Sequence, residues 1–175
     1  RGKPVVPFES LTETHPPDRF AMLVAVGFSR VNRVRAELYQ ACKDRGYECI
    51  SYVNSKVLKW GEITVGENSF ILENNVLQPF VRIGNNVVMW SGNHIGHHGQ
   101  IKDHVFFTSH VVLSGHCVVE SYSFFGVNST IRDYTTIAQG TLVGMASAIM
   151  KETEEWGVYV GNPAKKVPGK MSYEA

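Results

Sequence analysis

Six of the seven histidines in this 175-residue sequence fall between His94 and His116, so that stretch is the first place to look for chemistry. Imidazole titrates near neutral pH. A positioned histidine can therefore take a proton from a nucleophile or lend a lone pair to a metal. His98, His104, His110 and His116 stand six residues apart. In a six-residue repeat whose successive units occupy successive faces, those four point away from one another, and only His98 and His116, 18 apart, stack. A zinc site needs three ligands meeting at ~2.1 Å, so none is expected within one chain and no metal is assigned. His104, His110 and His116 read as outward polar side chains at a repeat position. His97 differs. It lies off that register in the turn NHIGHHG, where flanking glycines leave a ligand room to approach. It is the candidate general base, against the plainer reading of a solvated turn residue.

The element that must carry these residues is a repeat. Cut from Ile63, the chain runs as fifteen hexads to Glu152, and the third position of each is Val, Ile, Leu, Met or Phe, from Val65 to Ile149. With 43% of the residues hydrophobic, fifteen consecutive hits arise by chance only a few times in a million, roughly, so the period is real. The first position is mostly small: Ser69, Gly99, Cys117, Ser123, Ser129, Thr135, Thr141 and Ser147. A large group and a small one at fixed offset suit a triangular coil, the large one filling the centre and the small one tucked beneath a corner. Three hexads make one 18-residue turn. A parallel β-helix is expected over residues 63–152, stacked at ~4.8 Å per turn.

The flanks read differently. Residues 21–26 (AMLVAV) suit a short buried strand. Asn32 to Arg45 reads as a helix with Val34, Leu38 and Ala41 on one face and Gly46 as its stop. Residues 47–53 suit a second strand, which gives a small α/β domain over 1–54 and a connector over 54–62. Residues 153–175 leave the repeat as a polar tail. The chain opens on Arg1, so an upstream piece is expected.

Composition removes several functions. A net charge of +1 leaves no basic block to displace counterions from nucleic acid. No apolar run approaches the ~20 residues that a membrane span needs, and no secretion signal is visible. Cys42, Cys49 and Cys117 are odd in number without CxxC spacing, so they read as reduced thiols of a cytoplasmic protein.

The segments SGNHIGHHGQI, SGHCVVE and FFGVNSTIRD, with the ending VYVGNPAKKV, resemble the hexapeptide-repeat sugar acyltransferases of the sialic acid O-acetyltransferase type. The relatives of that type N-acetylate UDP-bacillosamine and GDP-perosamine precursors. The resemblance implies a left-handed coil, a homotrimer with sites between subunits, acetyl-CoA (or another acyl-CoA) as co-substrate, and a nucleotide-linked sugar as acceptor. The reaction would serve cell-surface polysaccharide synthesis.

Carried over by position, His97 matches the base, and His98 stands where the family commonly has an acid that orients it. A neutral His98 could hold the ring without raising its pKa. Gly115 matches an N–H that approaches the thioester carbonyl. Val127, Gly144 and Met145 match contacts along the pantetheine arm. Lys165 and Lys166 match partners of the coenzyme phosphates, the alternative being ordinary solvated lysines. Gly27, Asn32 and Arg35 match the stretch after a strand of a partial Rossmann-like nucleotide-sugar domain. Two other readings of the coil are a non-catalytic scaffold and a γ-class carbonic anhydrase with zinc shared between subunits. The histidine spacing does not fit the latter.

Overall fold

The computed structural model describes residues 2–61 and 63–174. Arg1 and Glu62, the latter closing the expected connector, lie outside the described residues. The hexads fold as expected, into a parallel β-solenoid. Each contributes a two-residue strand, and each strand pairs in parallel with the one 18 residues on: Phe106 with Phe124, Val112 with Thr130, Val118 with Thr136. The rungs stack into three sheets of eight, six and five strands that form the walls of a triangular prism.

Third-position side chains fill the axis. Ile71, Met89, Phe107, Phe125 and Val143 line up from one wall, and Leu77, Ile95, Leu113, Ile131 and Ile149 from the next, nearly all without solvent exposure. Phe107 and Phe125 stack with ring centroids 4.5 Å apart. First-position residues are small because the corner carbonyls close over them. The Ser123 hydroxyl donates to the Glu120 carbonyl at 2.8 Å, and that of Thr141 to the Ala138 carbonyl at 2.7 Å.

The sixth position explains the histidine spacing. Every sixth residue from Asn68 to Ala146 has φ between 51° and 78°. A corner this tight needs the left-handed conformation, which asparagine and histidine tolerate better than most residues. His98, His104, His110 and His116 all occupy such corners. Their six-residue spacing is a requirement of the turn before it is anything chemical.

The sheets run further than the apolar hexads. Tyr52–Val53, the end of the strand expected in the α/β domain, pairs instead with Phe70–Ile71, and Leu58–Lys59 of the expected connector with Val76–Leu77, so both belong to the first turn of the coil. Lys59 hid that rung, because at the open end of a prism the inward position is not buried and need not be apolar. At the other end, Gly157–Val160 adds a parallel rung beside Leu142–Val143, and Lys165–Met171 folds back antiparallel on it. The segment expected as a tail is therefore a hairpin that closes the stack with Val158 and Tyr159.

Among the described residues, the N-terminal part contributes the helices Leu11–Thr14 and Arg33–Asp44 and a single parallel bridge between Met22 and Cys49. Residues 21–26 are extended but only half covered, because apart from that bridge no described strand pairs with them. The Arg33–Asp44 helix buries Arg35, Ala36, Tyr39 and Cys42, whereas Val34, Leu38 and Ala41 flank that stripe. The rotation follows from Arg35, which is driven into the solenoid wall. Among the described residues, no helix is long and apolar enough to cross a membrane.

Candidate active site

The three corners of the prism carry different chemistry. In the corner that contains His97, neighbouring turns are pressed close. A Cβ on Gly96 would lie 2.6 Å from the Gly115 nitrogen. The His97 ring lies over the next turn, where a Cβ on Gly115 would stand only 2.8 Å from its Cε1 and 2.9 Å from its Nε2. Gly115 is thus the bare floor on which the imidazole rests.

Beside it runs a column of rings, one per turn: Phe80, His98, His116 and Tyr134. Their centroids are 4.7, 4.6 and 4.6 Å apart, and the planes of the last two pairs lie within 11° and 9°. His97 Nδ1 lies 3.1 Å from His98 Nδ1, so one of the two must carry the hydrogen they share. Desolvation within this column, reinforced by His116 and His97, holds the pKa of His98 below the ordinary imidazole value. In a neutral imidazole one nitrogen donates and the other accepts, so the tautomers of the two rings are set together. His97, Ser114, Gly115, His116, Asp133 and Tyr134 enclose an open cleft of about 450 Å³.

As expected, the four histidines spaced by six do not converge and His98 stacks on His116. The expectation that no three ligands meet within one chain is corrected by His97, which joins the pair: one ring nitrogen from each of His97, His98 and His116 lies within 4.8 Å of the others. The reason is the step from corner to neighbouring turn: His98 stacks on His116, and the missing side chain at Gly115 lets His97 lean into the same place. His104 and His110 sit at the other two corners. His104 Nδ1 bonds the Asn86 amide at 2.9 Å, and the His110 ring covers Gly92.

The remaining candidates separate into three groups. Val127, Gly144 and Met145 lie at the corner across the six-stranded sheet from His97. Met145 is 77% exposed there, and Gly144 packs beneath Val160. One chain does not bring these residues to the histidine corner. Lys165 and Lys166 belong to the closing hairpin. The Lys166 ammonium donates to Glu154 at 2.6 Å, which raises its pKa, and both lysines line a cleft of about 420 Å³ with Lys151. Lys151 was not singled out from the sequence. The signal was present, because 97, 115, 133 and 151 form one column at the 18-residue turn repeat, leading from His97 to the hairpin lysines.

Gly27, Asn32 and Arg35 form the third group, and two of them are not free to meet a ligand. Arg35 is fully buried. Its guanidinium donates to the carbonyls of Asn86 and His104, both at 3.1 Å, to Asn86 Oδ1 at 3.2 Å and to Asn32 Oδ1 at 2.9 Å. The Asn32 amide donates to the carbonyls of Tyr122 and Ser123. Burial lowers the Arg35 pKa to about 10, still far above neutrality. The pair clamps the helix to the coil. Gly27 alone has open space around it, and its carbonyl accepts from Arg35 at 3.3 Å.

Phe106 is 3% exposed, beneath Phe28 and Arg35, and Tyr122 packs tilted against His104 at 4.8 Å between ring centroids, both away from His97. The exposed rings at the His97 corner are Phe80 and Tyr134.

Comparison with known proteins places this architecture. Residues 62–97 match the family described as bacterial transferase hexapeptide (six repeats). In sequence, the chain is 24% identical over 108 residues to an acyl-[acyl-carrier-protein]–UDP-N-acetylglucosamine O-acyltransferase of Sinorhizobium fredii, an alignment spanning 58% of this chain and 40% of that enzyme. In structure, it is similar to the acetyltransferase domain of PglB from Neisseria gonorrhoeae in complex with acetyl coenzyme A. The TM-score is 0.87 at 22% identity, covering 95% of this chain and 80% of that one. It is also similar to a mutant of perosamine N-acetyltransferase from Caulobacter crescentus in complex with CoA and GDP-perosamine, with TM-score 0.85, 18% identity and coverages of 91% and 75%. The chain is a hexapeptide-repeat β-solenoid that shares its fold with these acetyltransferases.

Proposed function

We propose that the protein transfers an acyl group, in the first instance acetyl, from acyl-CoA to an amine or hydroxyl of a nucleotide-linked sugar. The observation that carries this reading is the His97 imidazole lying on bare Gly115 backbone in an open cleft, with its Nδ1 held by His98. The fold it shares with proteins solved with CoA, acetyl-CoA and GDP-perosamine supports the same reading. Against the whole enzyme from Sinorhizobium fredii the chain covers only two fifths, so acceptor and donor are inferred from chemistry at the site.

In the tautomer in which His98 Nδ1 accepts, His97 carries its hydrogen on Nδ1 and presents the Nε2 lone pair to the cleft. As the acceptor nitrogen or oxygen attacks the thioester carbonyl, Nε2 takes its proton. The carbonyl oxygen gains charge and the Gly115 N–H donates to it. Collapse of the tetrahedral adduct breaks the C–S bond, and the His97 imidazolium returns the proton to the departing thiolate. The column of Gly115, Asp133 and Lys151 gives the coenzyme a path along the prism axis towards Lys165 and Lys166, whose charges suit its phosphates.

The pantetheine contacts proposed for Val127, Gly144 and Met145 require a second chain, since they stand one wall away. That wall exposes Leu58, Trp60, Val112 and Met150. Covering it with the next protomer suits a homotrimer closed by a heterologous contact. The setting we propose is cytoplasmic assembly of polysaccharide precursors. Free-thiol release from acetyl-CoA against a panel of amino-sugar nucleotides tests the reading. Acceptor-dependent release supports it, and hydrolysis-level release with every acceptor contradicts it.

A further inference from the structure

We propose that His97, His98 and His116 form a binding site for a divalent transition-metal ion of the zinc class, and that an ion held there blocks the base. His97 Nδ1 and His98 Nδ1 are 3.1 Å apart. That is close to the ~3.3 Å edge of a tetrahedron of nitrogens at ~2.0–2.1 Å from a metal. The third imidazole already lies within reach, since one ring nitrogen from each of the three residues falls within 4.8 Å of the others. Their mutual contact is the only hydrogen bond these rings make among the described residues. By contrast, His104 is committed to Asn86.

Two features of the corner prepare the site. His98 and His116 occupy successive left-handed corner positions, with φ of 59° and 58°, so the backbone holds their rings parallel one turn apart. Asp133 lines the same cleft and adds negative charge. An all-imidazole donor set selects zinc, cobalt, nickel or copper over magnesium and calcium. Three protein ligands leave a fourth position for water. A metal bound at His97 Nδ1 displaces the hydrogen there, so the neutral ring carries its hydrogen on Nε2 and has no lone pair left to take the acceptor's proton; the ion acts as an inhibitor. The metal site stands on geometry alone, while the inhibition rests on the acyl-transfer reading.

The test uses untagged, chelator-treated protein titrated with Zn²⁺ by calorimetry and with Co²⁺ by visible absorption. One ion per chain is expected. Loss of an outer partner of a metal ligand costs 10–100-fold in affinity, so loss of a ligand itself should cost at least about 10-fold in His98→Gln and His116→Gln. His94→Gln and His110→Gln should bind as the parent does. Far-UV circular dichroism and Tm confirm that each variant is folded. Binding unchanged in His116→Gln, binding lost in the His94 or His110 variants instead, or no binding by the parent would each overturn the site. In thiol-release assays, Zn²⁺ should inhibit the parent, and His116→Gln should need at least about 10-fold more metal for the same fraction inhibited. Tight binding without inhibition would overturn the blocking role and count against His97 as the base, while leaving the site standing.

Discussion

Two corners of the same prism carry histidines for the same backbone reason and put them to different ends. At the corner with Asn68, Asn86, His104 and Tyr122, the N-terminal helix closes over the turns. Asn68 bonds Asn86, Asn86 bonds His104, and Arg35 reaches the carbonyls beneath. Burial lowers the His104 pKa and keeps the ring neutral. At the corner with Phe80, His98, His116 and Tyr134, nothing described covers the column, and Tyr134 is 72% exposed. There the rings partner only one another. The left-handed turn supplies histidines to both corners; what distinguishes them is which one the chain leaves open, and that Gly115 stands beside the open one.

The comparison breaks first if the coil is wrong. Phe107→Asp or Ile131→Asp places an unpaired carboxylate in the axis and should abolish soluble protein. Lys102→Asp, one position further along its hexad and exposed, should be tolerated. Equal yields would contradict the inward register. Next, Arg35→Met should cost about 3 kcal/mol by stranding the carbonyls of Asn86 and His104, a fall in Tm of roughly 6–12 °C. Thiol release per folded molecule should stay unchanged, because the buried guanidinium is committed to backbone carbonyls. A selective loss of activity would return Arg35 to the substrate site.

The smallest effect concerns the partner of His97. His98→Asp would set a negative charge beside the His97 ring, which favours the imidazolium. A raised pKa keeps the base protonated to higher pH, so the acid limb of kcat/KM should move up by about 1 unit. An unmoved limb in an active variant would separate His98 from the base.

Much of this was legible in the residues, and the gaps have physical causes. The apolar third position reveals the coil wherever neighbours lie above and below, and it fails at Lys59, where the prism ends. The six-residue spacing of His98 to His116 was visible, but its cause was not, because sixth positions vary among Asn, His, Tyr, Phe, Gly and Ala and share only a backbone conformation. Arg35 reads as a surface residue on a helical wheel; its burial depends on carbonyls about 50 and 70 residues away. His97 stood out from its turn as the candidate base, whereas its meeting with His116 depends on the absent side chain of Gly115 one turn on.

The most direct test sets the two corners against each other in acetyl-CoA thiol release with a productive acceptor. His97→Ala should lower kcat by ~10² or more, with fold and assembly intact. His104→Ala should keep the parental kcat per folded molecule. Near-normal turnover in His97→Ala, or losses of equal size at the two corners, would contradict the account.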